Sequence, residues 1–130
     1  KQVGEFTILD DSYNANPDSM KAALVTLQEA EVSGRRVAVL GYMGELGHIE
    51  EEAHLTLGEQ AVTLGVDLLV TVGEKAARIN TKAEALPVNL NFSSHEEAAA
   101  YLRDALTSED LVLIKGSRGA TMEKVIEGLA

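Results

Sequence analysis

Two periods of hydrophobicity alternate along this chain. Apolar runs of strand length occupy residues 6–9, 37–40, 68–72, 88–92 and 111–114, and the stretches between them repeat apolar residues at helical spacing. The runs at 37–40, 68–72 and 111–114 are apolar almost throughout, the pattern of strands buried on both faces. Five such alternations predict a parallel sheet covered by helices.

A first helix is predicted over 17–30, with Met20, Ala23, Leu24 and Leu27 on one stripe. Asn16 can cap it, Pro17 fits its first turn, and Asp18 suits the positive end of its dipole. A second, over 49–64, turns Ala53, Leu57, Ala61 and Leu64 inward and stops at Gly65. A short third covers 75–82. Ser94 followed by Glu97 reads as a capping box for a fourth, with Ala98, Tyr101, Leu102 and Leu106 inward. The last begins near Ala120 and carries Met122, Val125, Ile126 and Leu129.

A chain of 130 residues with 45% hydrophobic content predicts one domain, able to bury a core without covalent staples. It has no cysteine, hence no disulfide framework and no thiolate chemistry. No apolar run approaches the ~20 residues of a membrane span, and the first residues lack the apolar core of a signal peptide. These features predict a cytoplasmic protein without membrane insertion. A net charge of −10 argues against a nucleic-acid partner, whose phosphates require a basic surface. The first strand begins within a few residues of Lys1, which suggests a piece cut at a domain boundary.

Three post-strand loops carry candidate chemistry, at the strand ends where open α/β sheets bind ligands. Residues 9–18 pack Asp10, Asp11, Ser12, Tyr13, Asn14 and Asn16 between a strand and a helix, more polar groups than turn and cap chemistry requires. Residues 41–47 place glycines at GxxGxxG, which is not the dinucleotide GxGxxG, and no acidic residue ends the next strand to hold a ribose. Those glycines read as tight turning and close packing, with Glu45 as a minor site candidate. Residues 115–120 join Lys115, Ser117 and Arg118 to two glycines. They read either as an anion grip at a helix N-terminus or as a salt bridge flanking a helix. A P-loop, Gly-x-x-x-x-Gly-Lys-Ser/Thr, occurs nowhere in the chain, so a triphosphate would need another domain to hold it. His48, His54 and His95 lack metal-ligand spacing. His54 reads as a hydrogen-bonded core histidine and His95 as an exposed one.

With these loops in view, the chain resembles the C-terminal domain of the Mur ligases, essentially from Phe6 to Leu129. The resemblance rests on Asp10-Asp11-Ser12-Tyr13-Asn14-Ala15-Asn16-Pro17 with Ser19 and Met20, on Met43 and Glu45-Leu46-Gly47 with His54, and on Lys115-Gly116-Ser117-Arg118 with Met122-Glu123. The second set departs from the family pattern, which usually has Asp where this chain has Tyr42. The resemblance implies a three-layer α/β/α Rossmann-like domain with a mostly parallel sheet of five or six strands, including an extra antiparallel strand at its start. It also implies a role in an ATP- and Mg2+-dependent ligase that joins D-alanyl-D-alanine to UDP-N-acetylmuramoyl-tripeptide in cell-wall synthesis. The nucleotide and metal would be held mainly by a central domain absent here. This domain would close over them as a lid and would be inactive alone. Carried onto this chain, Asp11, Tyr13, Asn14 and Asn16 would line the nucleotide side, and Lys115, Ser117 and Arg118 the dipeptide side.

Two other functions compete. A related ligase would add a single amino acid, and a stand-alone module of the same fold would hold an acidic or zwitterionic ligand at 115–119. A response-regulator domain is excluded, because residues 70–73 offer no phosphoacceptor aspartate at the end of the third predicted strand.

Overall fold

The computed structural model describes all residues of 1–130 except Tyr13. The five predicted strands form, each within two residues of its expected ends: β2 (Phe6–Asp11), β3 (Arg36–Leu40), β4 (Leu68–Val72), β5 (Val88–Phe92) and β6 (Leu111–Lys115). A two-residue strand, β1 (Gln2–Val3), pairs antiparallel with β2 and supplies the extra edge. The sheet order is β1-β2-β6-β3-β4-β5, and all pairs except the first are parallel.

Helices α1 (Pro17–Glu29), α2 (Glu50–Thr63) and α3 (Ala77–Thr81) cover one face, and α4 (His95–Ala105) and α5 (Glu123–Leu129) cover the other. The two-sided covering explains the unbroken apolar strands. In β3, Val37 and Val39 join the core under α4 and α5, while Ala38 and Leu40 join the core under α1–α3. Met20, Leu24 and Leu27 of α1 are buried as the stripe predicts, and Ala23 lies at its margin. Each fully buried side chain of this kind contributes about 1.5–3 kcal/mol.

Two helix starts differ from expectation. Ser94 caps α4 by accepting the Glu97 amide at 3.1 Å, but the Glu97 carboxylate accepts the Ser93 and Ser94 hydroxyls, so the reciprocal half of the box is missing. After β6 the chain makes a 3₁₀ turn at Arg118–Ala120, then Thr121 adopts a left-handed conformation (φ 47°), and only at Glu123 does α5 begin. A β-branched residue is strained there. The interruption is held by His95, whose ring bonds the Ala120 carbonyl at 2.7 Å. His95 is therefore half-buried and engaged, not exposed.

At the amino ends of the strands, the buried carboxylate of Asp110 ties β6 to β3. It accepts the amides of Arg35 (2.8 Å) and Thr107 (2.9 Å) and the Arg35 guanidinium (3.1 Å). Burial pushes this carboxyl up, but the Arg35 and Thr107 amides and the Arg35 charge together hold it below its ordinary value. Its folded pKa thus lies below its unfolded one. The stability it contributes is complete above the unfolded value and is lost as pH falls through the folded value. Urea midpoints for the chain and Asp110→Asn should differ most above about pH 5 and converge as pH falls below the folded value. A gap that is constant across this range would mean the ionised carboxylate is not the stabilising species.

Candidate functional site

Strand order reverses around β6. The β2–α1–β3 connection steps over it on one face, and α4 returns the chain to it on the other. Ligand crevices open at the carboxyl ends of strands at such switch points. A cleft of about 540 Å³ lies there, and four post-strand loops line it. Asn14 and Ala15 follow β2, Tyr42, Gly44 and Glu45 follow β3, Lys75 follows β4, and Ser117, Arg118 and Gly119 follow β6.

Of the residues singled out in the sequence, Asn14, Glu45, Ser117 and Arg118 line this cleft, whereas Asp11, Asn16 and Lys115 do not; Asp11 borders a separate shallow pocket with Leu9, Ala23 and Thr26. Asp11 and Lys115 end neighbouring parallel strands as direct partners. The Lys115 side chain is 1% exposed, and its ammonium donates to Asp11 Oδ2 at 2.6 Å and to the Asn14 carbonyl at 2.8 Å. This ion pair joins the ends of two strands, where the sequence offered an anion grip or a salt bridge flanking a helix. The charge is spent beneath the first loop, holding Asp11 and the backbone of Asn14 in place. Asp11 keeps a 45% exposed side chain, with acceptor capacity left on its other oxygen. Asp10, on the opposite face of β2, turns to the Ser12 amide (3.2 Å) and the Lys1 ammonium (3.1 Å). Burial raises this carboxyl, and the Ser12 side chain, then Lys1 and last the Ser12 amide, bring it below its usual value.

Asn16 is the cap of α1. Its side-chain oxygen accepts the Ser19 amide at 2.9 Å, while Ser19 Oγ accepts the Asn16 amide at 3.0 Å. Only the side-chain NH₂ of Asn16 is left for a ligand. Asn14 is exposed at the cleft. Tyr13, the remaining nucleotide-side candidate, lies outside the described residues.

The glycine loop is fixed from below by His54, which is fully buried. Its Nδ1 bonds the Glu50 carbonyl at 2.7 Å and its Nε2 accepts the Met43 amide at 3.0 Å, so the neutral Nδ1–H tautomer satisfies both. Gly41 and Gly116 permit close approach. A Cβ on Gly116 would come within 3.1 Å of the Gly41 Cα and 2.7 Å of Met122. The packing role expected for the loop's glycines is thereby realised at Gly41. The loop nevertheless reaches the cleft through Tyr42 and Glu45, and Glu45 sits in the left-handed region (φ 60°).

In the last loop, Ser117 Oγ is buried without a hydrogen-bond partner among the described residues, against Gly44. Arg118 is exposed, and among the described residues it forms no ion pair. The helix N-terminus expected beside it is displaced by the left-handed break at Thr121, so the anion grip would rest on Arg118 and loop amides. Sequence reasoning passed over Lys75, whose ammonium sits 5.1 Å from the centroid of the Tyr42 ring. Its signal in the sequence is its place two residues after Gly73, in the loop that follows β4. Among the described residues no group of three or more His, Asp or Glu side chains could hold a metal ion. No described helix is long and apolar enough to cross a membrane.

The geometry defines a doubly wound α/β domain with a cleft at its switch point. Residues 1–118 match the family model described as Mur ligase, glutamate ligase domain, and the chain belongs to the Mur ligase family. Its curated relatives include the UDP-N-acetylmuramoyl-tripeptide–D-alanyl-D-alanine ligases of Escherichia coli, 40% identical over 94% of this chain, and of Bacillus subtilis, 32% identical over 95%. These alignments cover 26% and 28% of those relatives, so the chain spans little more than a quarter of their length. Among solved structures, the MurF ligase of Thermotoga maritima in complex with ADP superposes with a TM-score of 0.85 at 29% identity, over 98% of this chain and 29% of the other. MurF from Acinetobacter baumannii does so with a TM-score of 0.85 at 32% identity, over 99% and 28%.

Proposed function

We propose that this chain is one domain, 1–130, of an ATP-dependent amide ligase that joins D-alanyl-D-alanine to UDP-N-acetylmuramoyl-tripeptide during peptidoglycan precursor synthesis in the cytoplasm. The observation that carries the reading is the shared cleft, where Asn14 of the first loop and Arg118 of the last line one crevice at the switch point. In this reading Asp11, Asn14, Asn16 and, by resemblance, Tyr13 face the ribose side of the nucleotide. Exposed carboxylate and amide groups suit hydroxyl recognition. Arg118 faces the dipeptide carboxylate, for which a planar guanidinium is geometrically suited. Lys115 acts by holding Asp11 and the first loop. Ser117 would meet the ligand only by turning its hydroxyl out of its buried seat.

ATP would supply the activation of the acceptor carboxylate, with phosphates and Mg2+ held on another domain, since this chain has no P-loop. What these residues contribute is orientation and the exclusion of water as the domain closes. Alone, residues 1–130 are expected neither to ligate nor to hydrolyse ATP.

The test is a ligation assay on the full-length parent with ATP, Mg2+, UDP-N-acetylmuramoyl-tripeptide and D-alanyl-D-alanine. Asn14→Ala should raise KM for ATP and Arg118→Ala should raise KM for the dipeptide, each by about tenfold, the worth of one strong hydrogen bond. Turnover with a single amino acid in place of the dipeptide would assign the chain to a related ligase. The same defect in both variants would overturn the division of the cleft.

A further inference from the structure

We propose that Lys75 is a second ligand-binding cation of the cleft, acting with Arg118 on the carboxylate of the incoming dipeptide. The inference rests on the ligase reading above and adds a residue from a loop that reading does not use.

The charged residues lining the cleft are Lys75, Arg118 and Glu45. Among the lining residues two cations thus face one carboxylate, with Glu50 paired to Lys75 from outside the lining, so an anionic group on the ligand would meet both cations. Lys75 is also placed rather than free to wander. Gly73, at φ 95°, turns the chain out of β4; its amide donates to the Phe92 carbonyl at 2.9 Å and its carbonyl accepts the Asn91 side chain at 3.0 Å. The same Asn91 amide reaches the buried Thr71 hydroxyl at 2.8 Å, so the base of the loop is tied to two strands. Two residues on, the ammonium rests over the Tyr42 ring, 5.1 Å from its centroid.

Tyr42 is itself anchored. Its carbonyl accepts the Ser117 amide at 2.9 Å, and its hydroxyl lies where a Cβ on Gly119 would sit, 2.2 Å away. The ring thus links the Lys75 loop to the Arg118 loop. Among the described residues the one carboxylate within 4 Å of the Lys75 ammonium is Glu50, whose Oε1 lies 3.6 Å away, beyond a directed hydrogen bond, and the lysine side chain is 55% exposed. Its N–H donors remain available to a ligand carboxylate. Glu45, on the opposite charge, suits the ammonium end of a zwitterion.

The test uses the full-length parent, with D-alanyl-D-alanine and its C-terminal carboxamide as paired probes. In the unsubstituted enzyme the carboxamide should show a KM at least tenfold higher than the dipeptide, the worth of a charge-assisted contact. Lys75→Met should raise KM for the dipeptide by about tenfold while leaving that for the carboxamide and for ATP within about twofold. Lys75→Arg should restore most of the loss. Equal losses with dipeptide and carboxamide would overturn the proposal in favour of a structural role. A selective rise in KM for ATP would overturn it in favour of a nucleotide phosphate contact. Failure of the unsubstituted enzyme to use the dipeptide at all would instead remove the ligase reading itself.

Discussion

Asp11→Ala should destabilise the chain by about 3 kcal/mol, whereas Lys115→Met should cost about 1 kcal/mol or less. The asymmetry follows from burial. Lys115 is 1% exposed and Asp11 45% exposed, so the two partners are not equivalent when left alone. Without Asp11 the ammonium stays in the protein interior with the Asn14 carbonyl as its remaining described partner. Without Lys115 the Asp11 carboxylate is already half in water, and a methionine fills nearly the same volume. The double variant should therefore be more stable than Asp11→Ala alone. Urea denaturation of the four chains measures this directly. A loss in Lys115→Met as large as that in Asp11→Ala would mean that the pair is not the buried anchor described. The pair also decides how activity data are read. A defect in Asp11→Ala would mix lost ligand contact with a displaced first loop, which is why Asn14→Ala is the cleaner probe of the nucleotide side.

Gly58→Ala should lower stability by about 3 kcal/mol, near the upper end of overpacking effects. For a chain of this size that is a fall in Tm of roughly 10 °C. The sign is opposite to the one helix propensity gives, since Gly→Ala inside a helix ordinarily gains about 1 kcal/mol. The reason is contact with α3. A Cβ on Gly58 would lie 2.1 Å from the Ile79 carbonyl oxygen and 3.2 Å from the Lys82 Cβ. The first obstacle is backbone, so relief requires moving α2 away from α3. Thermal unfolding followed by circular dichroism decides the matter, and a raised Tm would show that the helices do not meet there.

The sequence by itself determined the strands, because a strand covered on both faces must be apolar at every position. Val37 to Leu40, Leu68 to Val72 and Val112 to Ile114 have no polar alternative except the hydroxyl of Thr71, which finds partners in the side chains of Asn80 and Asn91. It also determined the start of α1, since Asn16, Pro17 and Ser19 make a local cap that needs no distant partner. The three candidate loops follow from their position after strands, and so does a fourth, which carries Lys75.

Only the tertiary structure decided which of those polar groups are spent and which remain for a ligand. Lys115 and Arg118 read alike in sequence. Parallel pairing then puts Lys115 beside Asp11, 104 positions away in the chain, while Arg118 lies past the strand end in the cleft. The start of α5 was likewise non-local, because the left-handed turn at Thr121 is adjoined by His95 from another helix. Gly58 appears as a weak point in a helix until Ile79 packs against it. Local patterning fixes an element when the forces that shape it act within a few residues. A charge pair, a helix break or a close backbone contact between distant segments is settled by which strands become neighbours.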